Sequence, residues 1–496
     1  MTLLSIACII KKERKNTRYS ESTSKGRYMK ILSLEASTSS AKAMIYEDGK
    51  ALCVKSRPYS VRMSSNGRCD GEAVYQWMID LGRQVAKGHE IDGIGLAGAW
   101  HSVMILDGKM QPASDVLTWE YCDAADFARR LRQDQGLKRT MYQTTGCMIH
   151  ATYPVYKLAH LKEQGMNFDG KHICGQGSYA FYRMTGQWRT SKSMVSGSAF
   201  LDVHKLQYAG QALEISGTRE SQLPPLCGYE DMAPILDAQA DALGVPRGIP
   251  VLPAYPDGAL NQVASGALQE GIMTLSVGTS AALRVSAKKP ALSEKMGTWC
   301  YVSPVSWLAG AATAGACNCI NWAVQTLFGG QYGYAQLEKD PVNVEKCPYF
   351  LPFLYGERCP GWNDGRRSTF FQLDGNHTPR DIYYSVQEGV LFHIKQCFEE
   401  LCHLVGKPEM IMVSGGIVNS NRWMQLLADI LELPIFEDGV SQASLLGAAV
   451  LAHKAMVPAR IWPGPNPQKT FYPHKEAAEL LKKRYQTYLE YYAATT

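Results

Sequence analysis

The sequence has no paired cysteine motif, no long hydrophobic run and no strongly basic region, and each absence excludes a class of protein. The 14 cysteines are scattered, and neither Cys317 with Cys319 nor Cys397 with Cys402 has the spacing of a zinc site. The apolar run 3–10 is far too short to span a bilayer, and a basic cluster follows it, which is the reverse of a signal peptide. We therefore expect reduced thiols in a cytoplasmic protein.

The charge of the chain is close to balanced, with a formal net charge of +5 spread along the sequence. Such a mild excess suits an anionic ligand, but the absence of a basic stripe argues against nucleic acid as a partner. The composition is that of a soluble globular protein. Because 496 residues are too many for one hydrophobic core, the chain should divide into two domains.

One strand–turn–strand pattern occurs twice, about half a chain apart. Residues 31–46 and residues 272–285 each read as a strand, a tight turn of small hydroxylated residues and a second strand. The turns contain Thr38 and Thr279, respectively. Backbone N–H groups and hydroxyls presented together are what phosphate oxygens require. Two such turns facing each other would hold a polyphosphate between two similar domains.

The position of the repeat sets the expected domain boundaries. We expect residues 1–28 to be a dispensable, disordered extension, with a membrane or partner anchor as the alternative. The first domain then covers 29–268 and the second 269–496. Three antiparallel strands followed by helices and buried strands predict an α/β fold with a mixed sheet in the first domain.

The second domain carries clear helix signals. Residues 378–381, Thr-Pro-Arg-Asp, are typical of a capped helix start, and apolar residues recur at spacings of three and four from 382 to 401. The segment 411–431 reads as a buried strand, two glycines and a helix capped by Ser420. Open α/β sheets bind ligands at such strand ends, so a nucleotide base could lie against the glycines. The alternative is an ordinary strand-to-helix turn.

Two polar residues follow predicted buried strands in the first domain. Asp257 lies just before the domain boundary, where a carboxylate could act as general base toward a substrate hydroxyl. The alternative is an ordinary turn aspartate before a glycine. His101 could donate or accept a hydrogen bond with a polyol, although a lone histidine is often structural.

Taken in order, these segments resemble the FGGY family of carbohydrate kinases, from about Met29 to about Lys454. The most specific segment is 351–363, LPFLYGERCPGWN, which looks most like the gluconate kinase branch of the family. Residues 415–429 are similarly close to the family's adenosine motif. The resemblance implies a two-domain, actin-like ATPase (ribonuclease H-like) fold with the ligand cleft between the domains.

The resemblance also implies an activity. It predicts a cytoplasmic enzyme that uses ATP and Mg²⁺ to phosphorylate a hydroxyl of a small sugar, polyol or sugar acid. The expected partner is that small molecule, with no nucleic acid and no membrane, and a homodimer is left open.

Roles follow from the resemblance position by position. Glu35 would hold the water shell of Mg²⁺, and Asp257 would take the proton from the sugar hydroxyl. Trp100 and His101 would contact the sugar. The positions that match nucleotide contacts are Thr38, Ser39, Lys42, Thr279, Gly315, Gly416 and Ser420.

The sequence departs from the family pattern near the phosphates. Glu35 stands where the family usually has Asp, so the carboxylate reaches one methylene further. Ser37 stands where glycine is usual and brings a side chain into a turn meant to lie against phosphate. Pro256 likewise replaces a glycine beside the candidate base.

The sugar loop departs most. The family's Trp-x-Asp-x-Arg reads Trp-Glu-Tyr-Cys-Asp at 119–123, so Tyr121 replaces an aspartate and Asp123 replaces an arginine. An anion such as gluconate would meet Glu120 and Asp123, which argues against a simple gluconate kinase and leaves the substrate open.

Two alternatives to a kinase stay open, and the departures motivate the first of them. One is a non-catalytic relative that binds nucleotide or sugar and acts as a sensor or partner protein. The other is a hydrolase on the same fold that transfers phosphate to water. ADP formation with a broad panel of sugars would separate a kinase from the non-catalytic relative. Phosphate release without sugar, at a rate that sugar does not increase, would indicate the hydrolase.

Overall fold

The computed structural model of the protein describes residues 28–61 and 63–495. The extension proposed for residues 1–28 therefore lies, except for Tyr28, outside the described residues. Across this described part of the chain, no helix is both long enough and apolar enough to cross a membrane.

The first large sheet is built around the first hairpin, formed by Lys30–Ala36 and Ser40–Glu47. Lys30–Ala36 pairs antiparallel with Ser40–Glu47 and parallel with Gly93–Gly98, so it is buried on both faces, as its apolar run predicts. Lys50–Pro58 forms an exposed edge that carries several cationic side chains, which discourages pairing with another chain. The order of the main strands is Ala233–Pro234, Pro250–Val251, Gly93–Gly98, Lys30–Ala36, Ser40–Glu47 and Lys50–Pro58, with Tyr255–Pro256 paired to Gly93–Gly98.

The second large sheet repeats this arrangement. Its hairpin consists of Ile272–Val277 and Ala281–Ala287, which pair antiparallel. Ile272–Val277 also pairs in parallel with Met410–Gly415, just as Lys30–Ala36 pairs with Gly93–Gly98. The repeat read from the sequence is thus a repeat of topology. The strand order is Trp299–Val302, Trp307–Thr313, Ala281–Ala287, Ile272–Val277, Met410–Gly415, Ile435–Asp438 and Pro467–Phe471.

Helices and short strands complete the two halves. The α-helices are Gly71–Ala86, Ala125–Arg132, Gln135–Thr145, Pro154–Glu163, Gln176–Thr185, Lys192–Ser196, Gly210–Ser216, Asp237–Leu243, Asp257–Ala264, Cys317–Trp322, Tyr334–Glu338, Pro379–Val405, Asn421–Leu431, Ala443–Met456 and Lys475–Ala494. The shorter helical turns are Glu220–Gln222, Ala323–Leu327, Val344–Lys346 and Gly416–Asn419. The short strands are Ser64–Ser65, Arg68–Cys69, Met104–Leu106, Val116–Leu117, His172–Cys174, Thr190–Ser191, Leu201–Asp202, Gln207–Tyr208, Leu226–Cys227, Tyr349–Leu351 and Thr369–Phe371.

The helix Pro379–Val405 begins where the sequence predicts. The Thr378 side chain accepts from the backbone N–H of Asp381, and the Asp381 side chain accepts from the backbone of Thr378, which completes a capping box. The apolar residues at spacings of three and four lie mostly in the core.

The helix Ala443–Met456, which we call the bridging helix, ties the second half of the chain to the first sheet. It packs against Lys30–Ala36, Gly93–Gly98 and the helix Asp257–Ala264. Its small residues permit this approach, since a Cβ built on Gly447 would lie 2.1 Å from the carbonyl oxygen of Leu260. The division into 29–268 and 269–496 stays a prediction.

Candidate active site

A cleft between the two halves encloses about 130 Å³ and brings together residues from both sheets. The first half contributes Thr38, Trp100, His101, Trp119 and Asp257. The second half contributes Ser280, Arg284, Trp299, Tyr301 and Arg358. Several residues predicted for nucleotide, sugar and base roles therefore line one cavity.

The first turn is closed by its own side chains. The backbone N–H and the hydroxyl of Ser37 both donate to the carbonyl oxygen of Ser40, at 3.0 and 2.8 Å. The hydroxyl of Thr38 accepts from the indole N–H of Trp119 at 3.1 Å and still has a proton to donate. The Ser37 hydroxyl, a departure from the family pattern, is thus turned back onto the turn itself.

The second turn has a matching closure. The backbone N–H of Gly278 donates to the carbonyl oxygen of Ser280 at 2.9 Å. Thr279 is exposed at the tip, and Ser280 lines the cavity. Gly416 lies beside this turn, because both contact Cys317. A Cβ built on Gly416 would be 2.9 Å from the Sγ of Cys317, and the backbone N–H of Cys317 donates to the carbonyl oxygen of Gly278.

Glu35 is a buried carboxylate whose charge acts on Asp257. Its Oε2 accepts from Lys42 Nζ at 3.2 Å and from the Ser444 hydroxyl of the bridging helix at 2.7 Å. Within the described ranges no group of three or more metal-ligating side chains occurs. A single carboxylate with a second one nearby fits Mg²⁺, which usually completes its shell with phosphate oxygens and water.

Asp257 is the first residue of the helix Asp257–Ala264. Its Oδ1 accepts from the N–H of Gly258 at 2.8 Å, and Pro256 precedes it with a φ of −77°, which proline adopts without strain. Burial and then the nearby charge of Glu35 raise the pKa of the Asp257 carboxyl, and Arg284 opposes this only in part. A carboxylate with a raised pKa in a cavity is suited to accept a proton.

His101 is held in an uncommon backbone conformation, with a φ of +66°. Its carbonyl accepts from Lys157 Nζ at 2.8 Å, and its Nδ1 lies 2.5 Å from the carbonyl oxygen of Gly197. Burial lowers the pKa of the ring well below its usual value, so the ring is neutral and Nδ1 carries the proton. His101 Nε2 is therefore left as an acceptor, while the neighbouring Trp100 is fixed by its N–H bond to Ser193.

Lys157 is a fully buried residue that the sequence reading missed. Its Nζ donates to the carbonyl oxygens of His101 and Thr118, at 2.8 and 2.5 Å. It thus connects the loop of His101 with the loop of Trp119, two walls of the cavity. Burial lowers the pKa of its amine to about 7.

The sugar loop does not place acidic side chains in the cavity. Asp123 is exposed and forms an ion pair with Arg68 at 3.3 Å, and Glu120 is also exposed. Tyr121 is buried, and Trp119 is the residue of this loop that lines the cavity. The expectation that an anionic substrate would meet Glu120 and Asp123 has no support from this cavity, because both side chains are exposed and neither lines it.

Arg284 and Arg358 are the charged residues of the cavity that sequence reasoning passed over. Arg284 interrupts the apolar strand Ala281–Ala287, and a charge at such a position could have marked it. Arg358 belongs to the segment 351–363 that carries the strongest resemblance. Both reach the cavity from the second half.

The remaining predicted nucleotide contacts have differing environments. The Ser420 hydroxyl caps the helix Asn421–Leu431 and donates to Glu338 at 2.7 Å. Gly315 packs against the loop of Pro352, whose oxygen would be 2.4 Å from an added Cβ. Ser39 is exposed beside Thr38. Their nucleotide roles stay predictions.

Curated relatives resemble most of the chain at low identity. Gluconokinase of Bacillus subtilis (strain 168) is 24% identical over 447 residues, covering 85% of this chain and 86% of that protein. Xylulose kinase of Escherichia coli (strain K12) is 25% identical over 449 residues, covering 86% of this chain and 90% of that protein.

Solved structures share the whole architecture. The gluconate kinase of Lactobacillus acidophilus superposes with a TM-score of 0.87 at 25% identity, covering 94% of this chain and 98% of that one. The ligand-bound xylulose kinase of Lactobacillus acidophilus gives the same values. The predicted two-domain, actin-like fold is confirmed.

The family assignment covers both halves of the chain. The family model for the FGGY N-terminal domain matches residues 30–264, and that for the C-terminal domain matches residues 273–456. These two matches agree with the repeated hairpins, one in each half, and with the polar cavity between the halves. The chain belongs to the FGGY family of carbohydrate kinases.

Proposed function

We propose that this carbohydrate kinase transfers the γ-phosphate of ATP to a hydroxyl of a small sugar, polyol or sugar acid, with Asp257 as the general base. The observation that carries the proposal is the position of Asp257. Its carboxylate lines the same cavity as Thr38 of the first turn and Ser280 of the second. The names of the curated relatives, gluconokinase and xylulose kinase, support this range of acceptors.

The transfer needs one proton acceptor and little other covalent help from the protein. Asp257 takes the proton of the acceptor hydroxyl as its oxygen bonds to the γ-phosphorus. The bond from the γ-phosphorus to the β,γ-bridging oxygen breaks, and ADP leaves with that electron pair. The proton on Asp257 then passes to water.

The two turns would hold the phosphates by hydrogen bonding. Thr38, Ser39 and Thr279 offer hydroxyls and backbone N–H groups on facing turns. Lys42 would add a positive charge while it remains close to Glu35. The positions proposed to contact the rest of the nucleotide are Gly315, Gly416 and Ser420.

Glu35 is the residue that would hold the water shell of Mg²⁺, an ion that neutralises phosphate charge when bound. Trp100 and His101 would shape the acceptor site. The free Nε2 of His101 can accept from an acceptor hydroxyl and so orient it toward Asp257.

The test compares Asp257→Ala with Asp237→Ala. Asp237 is also the first residue of a helix, Asp237–Leu243, but it is exposed and pairs with Arg247 on the surface. We expect Asp257→Ala to lower kcat by about 10²–10⁴-fold. Its thermal shift with ADP should match that of the wild type, and Asp237→Ala should keep full turnover.

The readout is Mg²⁺-dependent ADP release across pentoses, hexoses, polyols and aldonates. Turnover of Asp257→Ala within about threefold of wild type would remove Asp257 from the role of base. Phosphate release at a rate no acceptor increases would indicate a hydrolase. Bound ATP without ADP formation on any acceptor would indicate a non-catalytic relative.

A further inference from the structure

Two guanidinium groups in the cavity lack the partners that buried cations normally have. Among the described residues, no hydrogen bond or ion pair involves the side chain of Arg358, and Arg284 donates only to the Ser276 hydroxyl, at 3.1 Å. The Nε atoms of both arginines are inaccessible to solvent and have no hydrogen-bond partner. Unpaired buried donors cost free energy, so the site favours a ligand that supplies acceptors.

The charges in this part of the cavity are unbalanced. Arg284 and Arg358 are close enough to repel each other: burial lowers the pKa of Arg284, Asp257 opposes this, and Arg358 adds to it. Asp257 is the one carboxylate that acts appreciably on Arg284, and it is already assigned as the base. A second negative charge is therefore missing, and it would have to come from the ligand.

A third donor lies on the same wall. The indole N–H of Trp299 is buried without a partner, and Trp299 lines the cavity together with Arg284 and Arg358. The opposite wall, from the first half, offers hydrogen-bond acceptors, namely the Asp257 carboxylate and His101 Nε2. A ligand that fits both walls has an anionic end toward the second half and hydroxyls toward the first.

A phosphoryl group of the nucleotide is the other anion that could meet these arginines. The surroundings of Arg358 instead favour an anionic group of the substrate that accepts the phosphoryl group. The charge of Arg358 acts on His101, which is proposed to contact the acceptor, and on Tyr153 and Tyr301, whose rings pack against His101. The nucleotide phosphates already have the hydroxyls and N–H groups of the two turns.

We propose that the acceptor is a polyhydroxy carboxylate of the aldonate class, whose carboxylate is bound by Arg284 and Arg358. The proposal rests on the kinase function above and specifies its substrate class. Arginine suits this role because its planar fork donates two parallel hydrogen bonds to a carboxylate. The carboxylate is then bound by the second half and the reacting hydroxyl by the first, so the substrate connects the two halves.

The experiment measures kcat/KM of the full chain with D-gluconate against its uncharged counterparts D-glucose and D-glucitol, and with D-xylonate against xylitol. We expect the aldonates to exceed their uncharged counterparts by about 100-fold or more, because a site built for a polar group rejects analogues that lack it. Arg284→Met and Arg358→Met should each lower kcat/KM for the aldonate by about 100-fold. The KM for ATP should stay within about threefold.

Two further variants serve as controls. Arg68→Met removes a surface arginine paired with Asp123, outside the cavity, and should leave the preference for aldonates unchanged. Arg358→Lys keeps the charge but loses the fork, so it should retain kcat on the aldonate with a raised KM. This partial rescue shows that the Met variant fails through lost recognition rather than misfolding.

Several results would overturn the inference. Wild type that prefers the uncharged acceptors contradicts it while leaving the kinase function intact. If Arg284→Met and Arg358→Met lost equal kcat/KM on charged and uncharged acceptors, or if their KM for ATP rose greatly, the arginines would be assigned to the phosphoryl group. If none of the acceptors supported turnover, the proposed function itself would be refuted, and the inference with it.

Discussion

Asp257 works under opposing electrostatic influences. Burial and Glu35 raise the pKa of its carboxyl, whereas Arg284 and the N–H of Gly258 lower it. The outcome is a pKa above the ordinary value of 3.8. Such a carboxylate is a better proton acceptor than an exposed aspartate, but it is lost to protonation at a higher pH.

The first prediction concerns the pH dependence of the rate. Because the base must be deprotonated, kcat/KM should fall as the pH drops through the raised pKa of Asp257. Arg284→Met removes a charge that lowers this pKa, so the acid limb should move to higher pH. The measurement is a profile of kcat/KM against pH for wild type and variant, with an uncharged acceptor that both turn over.

The direction of that shift is what tests the geometry. Arg68→Met is again the control, because Arg68 pairs with Asp123 outside the cavity. An acid limb that moves to lower pH, or that does not move in Arg284→Met, would mean that Arg284 does not act on Asp257.

The helix Asp257–Ala264 is positioned by the bridging helix. Gly447 packs directly on the backbone of Leu260, and Ser444 on the same helix donates to Glu35. One element of the second half therefore supports both the proposed base, Asp257, and Glu35, the carboxylate proposed to hold Mg²⁺. Close backbone packing of this kind leaves no room for a side chain at the contact.

The second prediction uses Gly447→Ala. The added methyl would lie 2.1 Å from the Leu260 oxygen, so the two helices must separate. We expect a loss of about 1–3 kcal/mol in the free energy of unfolding, as for other overpacked contacts. A fall in kcat should accompany it, because Asp257 moves with its helix. Urea unfolding and ADP release measure the two effects.

Gly136→Ala is the matched control for this prediction. Gly136 also lies in a helix, Gln135–Thr145, but it is exposed, and an added Cβ would meet only the end of the Asp134 side chain at 3.3 Å. Alanine there should leave turnover unchanged and stability equal or slightly higher. Wild-type stability and kcat in Gly447→Ala would contradict the proposed packing role.

At the scale of the whole molecule, a histidine–aspartate contact joins the two halves. His150 Nδ1 accepts from the N–H of Thr152 at 3.1 Å, so its proton is on Nε2, which donates to Asp364 at 2.6 Å. Although burial alone raises the pKa of Asp364, His150 and Arg132 lower it overall. Asp364 follows Arg358 on one loop, so this contact helps to position that arginine.

The third prediction concerns this contact. Asp364→Asn removes the charge that His150 and Arg132 stabilise, so the loop of Arg358 should loosen. We expect the KM for the acceptor to rise about tenfold, which corresponds to about 1.4 kcal/mol, with kcat little changed. Steady-state kinetics of Asp364→Asn, His150→Gln and the double variant measure the coupling between the two residues.

Asp374→Asn provides the comparison. Asp374 pairs with His377 at 3.2 Å, but both residues belong to the second half and lie away from the cleft. The KM of Asp374→Asn for the acceptor should equal that of wild type. If the free-energy changes calculated from the KM values of Asp364→Asn and His150→Gln added up to that of the double variant, the contact would not couple the halves.

Much of the fold was predictable because its determinants are local. The hairpins, the capping box at Thr378 and the apolar face of Pro379–Val405 are each encoded within a few dozen neighbouring residues, by alternation, capping and spacing. The repeat at half-chain spacing and the segment 351–363 then pointed to the family. Asp257 and His101 could be proposed from the sequence because each follows a predicted buried strand.

By itself, the sequence determined the two similar halves, the facing turns and the candidate base, since these depend on short-range patterns. Only the tertiary structure decided which charged side chains line the cavity. Asp123 departs from the family pattern yet, like Glu120, is exposed to solvent, whereas Arg284 and Arg358 line the cavity from separate segments. Contacts between residues tens or hundreds of positions apart depend on how the sheets and loops pack, and no local pattern encodes that packing.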